Sequence, residues 1–179
     1  MKFKHFCALG VAAMGGGIFV VPGWGAGYVQ TNLLSSDVTI AAPLQDANLI
    51  NPWGLAYSAS GPFWFADNGT GLSTLYSSSP PNVPALVVTV PSGVAGTANP
   101  TGIIFNDVSA DFSAGLFIFA AEDGTISSWS GGTTAQLRVN NNASGAVYKG
   151  LAYENTGSSG NHLYAANFQS GNIDVFNSS

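Results

Sequence analysis

The sequence predicts an all-β protein built from a repeated unit of short strands. Of its 179 residues, 46% are hydrophobic but only 7% are charged, against about 25% charged residues in typical soluble domains. The 23 glycines suit a chain of many tight turns. No sustained helical apolar stripe is present, so the composition and the pattern together exclude helical bundles, coiled coils and disordered tails.

The first 27 residues have the features of an export signal. Two lysines precede an apolar run over residues 6–21, and small residues at 25–27 precede a predicted cleavage at Tyr28. The run is shorter than the roughly 20 residues that a membrane span needs, so we expect no span after cleavage. The domain of residues 28–179 is then exported to the periplasm, the cell surface or the extracellular medium, and it holds no cysteine.

The charge balance is acidic. The chain holds 9 Asp and Glu against 4 Lys and Arg, for a net charge of -5. Phosphate binding requires clustered cations, so nucleic acid is excluded as a partner.

Two patterns recur three times along the chain. The first is a strand with a central glycine, at Gly54, Gly102 and Gly150 in equal steps of 48 residues. The second is an aromatic-rich strand that ends in Ala plus an acid or amide, followed by a glycine turn and a strand that closes on an aromatic residue. Its three copies cover residues 63–76, 117–129 and 163–176. We expect the central glycines to lie where the first strand of each copy passes close to its neighbours.

A further apolar alternation follows the first two copies, at residues 85–90 and 135–139, and supplies a fourth strand. Four strands in one repeat of this length are typical of a β-propeller blade. The predicted blades cover residues 51–90, 99–139 and 147–177. Since propellers have about 4 to 8 blades, we expect half of a six-bladed ring from a longer, truncated protein. Residues 28–34 would then form the outer strand of the missing last blade.

These motifs resemble known propeller repeats. The glycine strand, the aromatic strand and the closing strand are similar to the NHL-type repeat and to gluconolactonase and regucalcin-like propellers. Residues 28–33, 51–56 and 67–71 more closely resemble an uncharacterised exported bacterial family, some of whose members end in a PEP-CTERM sorting signal. The resemblance covers residues 28–177. It implies the propeller fold and implies no reaction.

Five polar residues are candidate ligand-binding residues. Asp67, Glu122 and Asn167 each follow an alanine at the end of the second strand, so we expect them near one common rim. Oxygen ligands of this kind suit calcium, and the regucalcin-like resemblance implies a metal in the channel, whereas the alternative is that they cap turns. Asn51 and Asn99 come just before the proline that starts a blade, where they would face the channel mouth.

The sequence carries no Gly-x-Ser-x-Gly elbow, Walker loop or histidine cluster, and so predicts no catalytic residue. The function that we expect is binding or scaffolding at the cell envelope without a required cofactor. The partner is a small molecule, an envelope component, further blades or a second copy. A metal-assisted hydrolase or lactonase of the regucalcin-like kind is the first alternative. A gene fragment without a function of its own is the second.

Overall fold

The computed structural model describes residues 21–22, 27–78, 81–82 and 86–178, and these residues form an all-β structure. Their regular structure consists of short strands and two 3₁₀ turns, Phe112–Ala114 and Asn142–Ser144. None of the described residues belongs to an α-helix, and none lies in a helix that spans a membrane. The predicted all-β class is confirmed. The predicted export signal lies almost wholly outside the described residues.

Two small sheets precede the repeats. Strand β1 (Val21–Pro22) pairs antiparallel with β2 (Val29–Gln30), and β3 (Leu34–Ser35) pairs in parallel with β4 (Leu44–Gln45). The segment 28–34 therefore contains β2 and the start of β3. Its predicted role as the outer strand of a further blade remains a prediction.

Three larger sheets follow in chain order. The first sheet consists of β5 (Pro52–Tyr57), β6 (Phe63–Asp67), β7 (Leu72–Ser78), β8 (Pro81–Asn82) and β9 (Val88–Thr89). The second sheet consists of β10 (Pro100–Phe105), β11 (Phe117–Ala121), β12 (Thr125–Trp129) and β13 (Gln136–Asn140). The third sheet consists of β14 (Tyr148–Tyr153), β15 (His162–Asn167) and β16 (Asn172–Asn177).

Pairing within the three sheets is antiparallel. Each sheet begins with the glycine strand, continues with the aromatic strand and then with the closing strand. In the first sheet, β8 and β9 both pair with β7, and in the second sheet β13 pairs with β12. The strands of the three sheets span residues 52–89, 100–140 and 148–177. The repeat therefore corresponds to one structural unit.

The first and second sheets pack face to face. Trp64 of β6 stacks on Phe117 of β11, with 4.1 Å between the ring centroids and 18° between the ring planes. Ala66 and Leu75 of the first sheet and Phe119 of the second are buried in the same cluster. Full burial of one such aromatic side chain stabilises the fold by about 1.5–3 kcal/mol.

The second and third sheets pack in the same way, on the other face of the second sheet. Ile118 and Ala120 of β11 are buried against Leu163 and Ala165 of β15. The second sheet is thus covered on both faces, which explains why all five residues of β11 are buried and why its sequence is continuously apolar.

The first strands of the three sheets are neighbours, because β10 lies against both β5 and β14. A Cβ atom added to Gly54 would lie 2.5 Å from the carbonyl oxygen of Thr101, and one added to Gly102 would lie 2.5 Å from the nitrogen of Leu151. Any side chain at these two positions would therefore force the strands apart.

Candidate functional site at the shared edge of the sheets

The register of each first strand is irregular at the same place. The pairing of β5 with β6 shifts between Pro52 and Gly54, which leaves Trp53 as an extra residue. The same shift occurs in β10 around Thr101 and in β14 at Lys149. A β-bulge changes the direction of a side chain, and bulges are frequent near functional sites. The repeat therefore places one bulged position of each sheet at a shared edge.

The bulged residues of the first and third sheets contact each other. The Lys149 ammonium lies 4.9 Å from the centre of the Trp53 ring and 5.8 Å from that of Phe168, and it forms an ion pair with Glu122. At the corresponding bulge of the second sheet, the hydroxyl of the buried Thr101 donates a hydrogen bond to the Tyr148 carbonyl of the third sheet at 2.8 Å. The cation is thus held between two aromatic rings and one carboxylate.

Three asparagines adjoin this group on the side of the first sheet. The Asn51 amide donates to Asn68 Oδ1 at 3.1 Å, and the Asn99 amide donates to the Asn68 carbonyl at 3.0 Å. The Trp53 indole donates to Asn51 Oδ1 at 3.3 Å. Asn68 is buried, and its Nδ2 has no hydrogen-bond partner among the described residues. Asn51 therefore links the Trp53 ring to Asn68, whose buried Nδ2 is left without a partner.

Asp67 is buried in the first sheet. Its Oδ2 accepts hydrogen bonds from the backbone nitrogen of Thr74 at 3.1 Å and from the Thr74 hydroxyl at 2.7 Å. Burial raises the pKa of the Asp67 carboxyl to about 7, although the two bonds from Thr74 act in the opposite direction. This carboxyl is held by its neighbour on β7 rather than by the residues of the shared edge.

Asn167 has the corresponding environment in the third sheet. Its amide donates to Asp174 Oδ2 at 2.9 Å, and its oxygen accepts from the Val147 nitrogen at 3.2 Å. Asp174 also accepts a bond from the Tyr148 hydroxyl. Asp67 and Asn167 therefore both bond to the closing strand of their own sheet.

The expected equivalence of Glu122 with Asp67 and Asn167 is wrong in the structure. Pro52 pairs with Asp67, Tyr148 pairs with Asn167, and Pro100 pairs with Ala121. Ala121 thus takes the position of the acid or amide in the second sheet. Glu122 follows it and corresponds to Asn68 and Phe168, because each of these three donates its backbone nitrogen to the residue before a first strand.

The structure brings together some of the predicted residues. Asn51 and Asn99 meet at Asn68, and Glu122 belongs to the same edge through Lys149. Asp67 and Asn167 bond within their own sheets instead. Within the described ranges, no three His, Cys, Asp or Glu side chains are grouped so that they could hold a metal ion. The calcium hypothesis thus gains no geometric support.

Four residues of the edge were not predicted: Trp53, Asn68, Lys149 and Phe168. Trp53 and Lys149 both come directly before the repeated glycine, and this shared position was the available sequence signal. It indicates a common site only when the bulge at that position is known. Trp53 is 48% exposed and Phe168 is 73% exposed. Exposed aromatic rings next to amide and carboxylate groups are suited to a ligand that has both an apolar face and hydroxyl or amide groups.

Comparison with curated proteins finds a relative that is itself uncharacterised. No family model matches the chain. The chain is 31% identical over 162 residues to the uncharacterised protein R648 of Acanthamoeba polyphaga mimivirus. The alignment covers 83% of this chain but 38% of the viral protein, so the chain spans less than half the length of this curated relative.

Proposed function

We propose that this chain is an exported β-propeller module that binds a ligand at the shared edge of its blades. Support for the propeller comes from three consecutive antiparallel sheets that pack face to face and have neighbouring first strands. The same bulge occurs in all three sheets, and the same close glycine contact occurs at both junctions between sheets. The second sheet is therefore placed on the first in the same way as the third is placed on the second. First strands that meet near a common axis are the arrangement of propeller blades.

The observation that carries the binding function is the group of Trp53, Lys149 and Phe168. Exposed aromatic surface is unfavourable in water, and here it lies beside the Lys149–Glu122 ion pair and the exposed amide of Asn51, which accepts a hydrogen bond from the Trp53 indole. A sugar ring offers an apolar face to an aromatic ring, and its hydroxyls both donate and accept hydrogen bonds. The ligand class that we propose is therefore an oligosaccharide, such as an envelope glycan.

The export part of the proposal rests on the sequence of residues 1–27. The basic start, the apolar run and the small residues before Tyr28 support secretion and cleavage. The acidic, lysine-poor composition that follows is compatible with an extracytoplasmic binding role and with no nucleic-acid role.

The test is a binding titration of the purified chain against a panel of soluble oligosaccharides, including chitohexaose, cellohexaose and maltohexaose. We expect at least one of them to bind, and Trp53→Ala and Phe168→Ala to weaken that binding about tenfold or more. Tyr28→Ala is the matched control, since it removes an exposed aromatic ring outside the shared edge. Equal binding by the three variants, or no binding by the panel, would reject the glycan site.

A further inference from the structure

The three sheets use their two faces in a regular way. We call the face of a sheet that is turned toward the next sheet in chain order its forward face, and the opposite face its backward face. In the first interface, Trp64 on the forward face of the first sheet stacks on Phe117 on the backward face of the second. In the second interface, Ile118 and Leu163 occupy the corresponding positions. The same pair of positions therefore forms both interfaces.

The forward face of the third sheet is open in the described part of the chain. Tyr164 takes the position of Trp64 and Ile118, and it is half-buried. Ile173 is 61% exposed and Val175 is 52% exposed on β16. A Cβ atom added to Gly150 would meet only Ala166, at 4.0 Å, in contrast to the close backbone contacts at Gly54 and Gly102.

A second glycine position shows the same difference. A Cβ atom at Gly71 would lie 2.8 Å from the Ala98 carbonyl oxygen, and one at Gly124 would lie 2.7 Å from the Ala146 carbonyl oxygen. Both contacts are made by the segment that leads into the next sheet. Around Gly171 no described atom lies within 4 Å of the added Cβ. The space beside Gly150 and Gly171 corresponds to the space that the next sheet fills in the first and second sheets. No described residue fills it in the third sheet.

The backward face of the first sheet is open along β5 and β6, whereas Tyr76 on its β7 part is buried and donates its hydroxyl to Asp46 at 2.9 Å. Leu55 and Tyr57 are exposed, and Phe63 and Phe65 are half-buried. Their counterparts in the second sheet, Ile103, Phe105, Phe117 and Phe119, pack in the first interface, and all but Phe105 are buried there. Ile50 precedes β5 by two residues, as Ala98 precedes β10 and Ala146 precedes β14.

We propose that the open forward face of the third sheet docks on the open backward face of the first sheet of a second copy of this chain. Both halves of the interface are present on one chain, and each uses positions that already form the two internal interfaces. If the same contact is made twice, two copies close a ring of six sheets, within the blade numbers of known propellers. The inference rests on the propeller part of the proposed function.

The interface has a specific aromatic contact at its centre. Tyr164 of one copy corresponds to Trp64, and Phe63 of the other copy corresponds to Phe117, so these two rings face each other. Gly150 then lies against the first strand of the second copy, and Gly171 lies against the segment that precedes it. The contact is head to tail, because it joins the forward face of one copy to the backward face of the other.

The test is the mass of the purified chain in solution at about 100 µM, measured by light scattering and sedimentation. We expect a dimer. Val175→Lys should give a monomer, because it places a charge on the open face at a position that is 52% exposed in the single chain. Val94→Lys, at an exposed position in the loop between β9 and β10, should remain dimeric.

A mixing experiment tests the head-to-tail arrangement. Tyr164→Lys and Phe63→Glu should each be monomeric, whereas their mixture should form a dimer with one chain of each kind. That dimer has one lysine–glutamate interface and one unchanged interface. A wild-type monomer, a distribution of larger sizes, or a mixture that stays monomeric would overturn the proposal. Glycan binding by a monomer would at the same time leave the proposed binding function intact.

Discussion

Gly102 faces Leu151 across two neighbouring first strands, with room for a hydrogen atom and no more: an added Cβ atom would lie 2.5 Å from the Leu151 nitrogen. Gly54 faces Thr101 and Ile103 in the same way. This repeated close approach joins the sheets near their common edge, where the candidate site lies.

Alanine substitution distinguishes the covered glycines from the open one. Gly54→Ala and Gly102→Ala should each lower the free energy of unfolding by about 1–3 kcal/mol, because backbone atoms must move away from the added methyl group. Gly150→Ala should be neutral or stabilising by up to about 1 kcal/mol in dilute solution, since it meets no backbone and restricts the unfolded chain. Denaturant unfolding measures all three. Equal effects at the three positions would show that the sheets do not pack as described.

The repeat was predictable from the sequence because its landmarks are local. Glycine, aromatic and closing-strand positions recur with nearly the same spacing, and the strands follow them. Glu122 was misplaced because Ala121-Glu122 matches Ala66-Asp67 in residue type, whereas the backbone register pairs Ala121 with Pro100. The contact between Trp53 and Lys149 had no local signal, since it depends on two bulges in sheets far apart in the chain.

The stability of the protein should fall as pH rises from about 4 to about 7, owing to Asp67. Its pKa is raised to about 7 in the folded state, so the folded chain keeps a proton that the unfolded chain has lost, and deprotonation then favours unfolding. Asp67→Asn should remove this dependence and stabilise the protein at alkaline pH by about 2–4 kcal/mol. Urea unfolding at several pH values measures it.

The matching variant in the third sheet is Asn167→Asp, which places a carboxylate beside Asp174. It should destabilise the protein increasingly as pH rises, because two carboxylates then share one site. If wild type and Asp67→Asn show the same pH profile, Asp67 is not the group that titrates.

The ion pair of Lys149 and Glu122 should contribute little to stability. Both side chains are about one-third exposed, so water and salt screen their attraction. A double-mutant cycle with Lys149→Met and Glu122→Gln should give a coupling of about 0.2–1 kcal/mol that decreases at high salt. A coupling of several kcal/mol, insensitive to salt, would contradict the exposed geometry of the edge.

Calcium and a chelator should leave the thermal unfolding of the chain unchanged. Asp67 Oδ2 accepts from Thr74, Asn167 Oδ1 accepts from the Val147 nitrogen, and Glu122 pairs with Lys149, so the three side chains have separate partners. An ion that bound only the folded chain would raise its stability with concentration. A melt that is sensitive to chelator, and loses this sensitivity in Asp67→Ala or Glu122→Ala, would favour the metal-assisted hydrolase instead.

The packing of first strand against first strand is the central claim, and nuclear Overhauser effects measure it most directly. With the chain labelled at glycine, isoleucine and leucine, we expect contacts from the Gly54 α-protons to the Ile103 methyl group and from the Gly102 α-protons to the Leu151 amide proton. Observation of both contacts in one sample would establish that β10 lies between β5 and β14. Absence of both, in a sample whose strand pairings within each sheet are intact, would contradict the arrangement on which the proposed site depends.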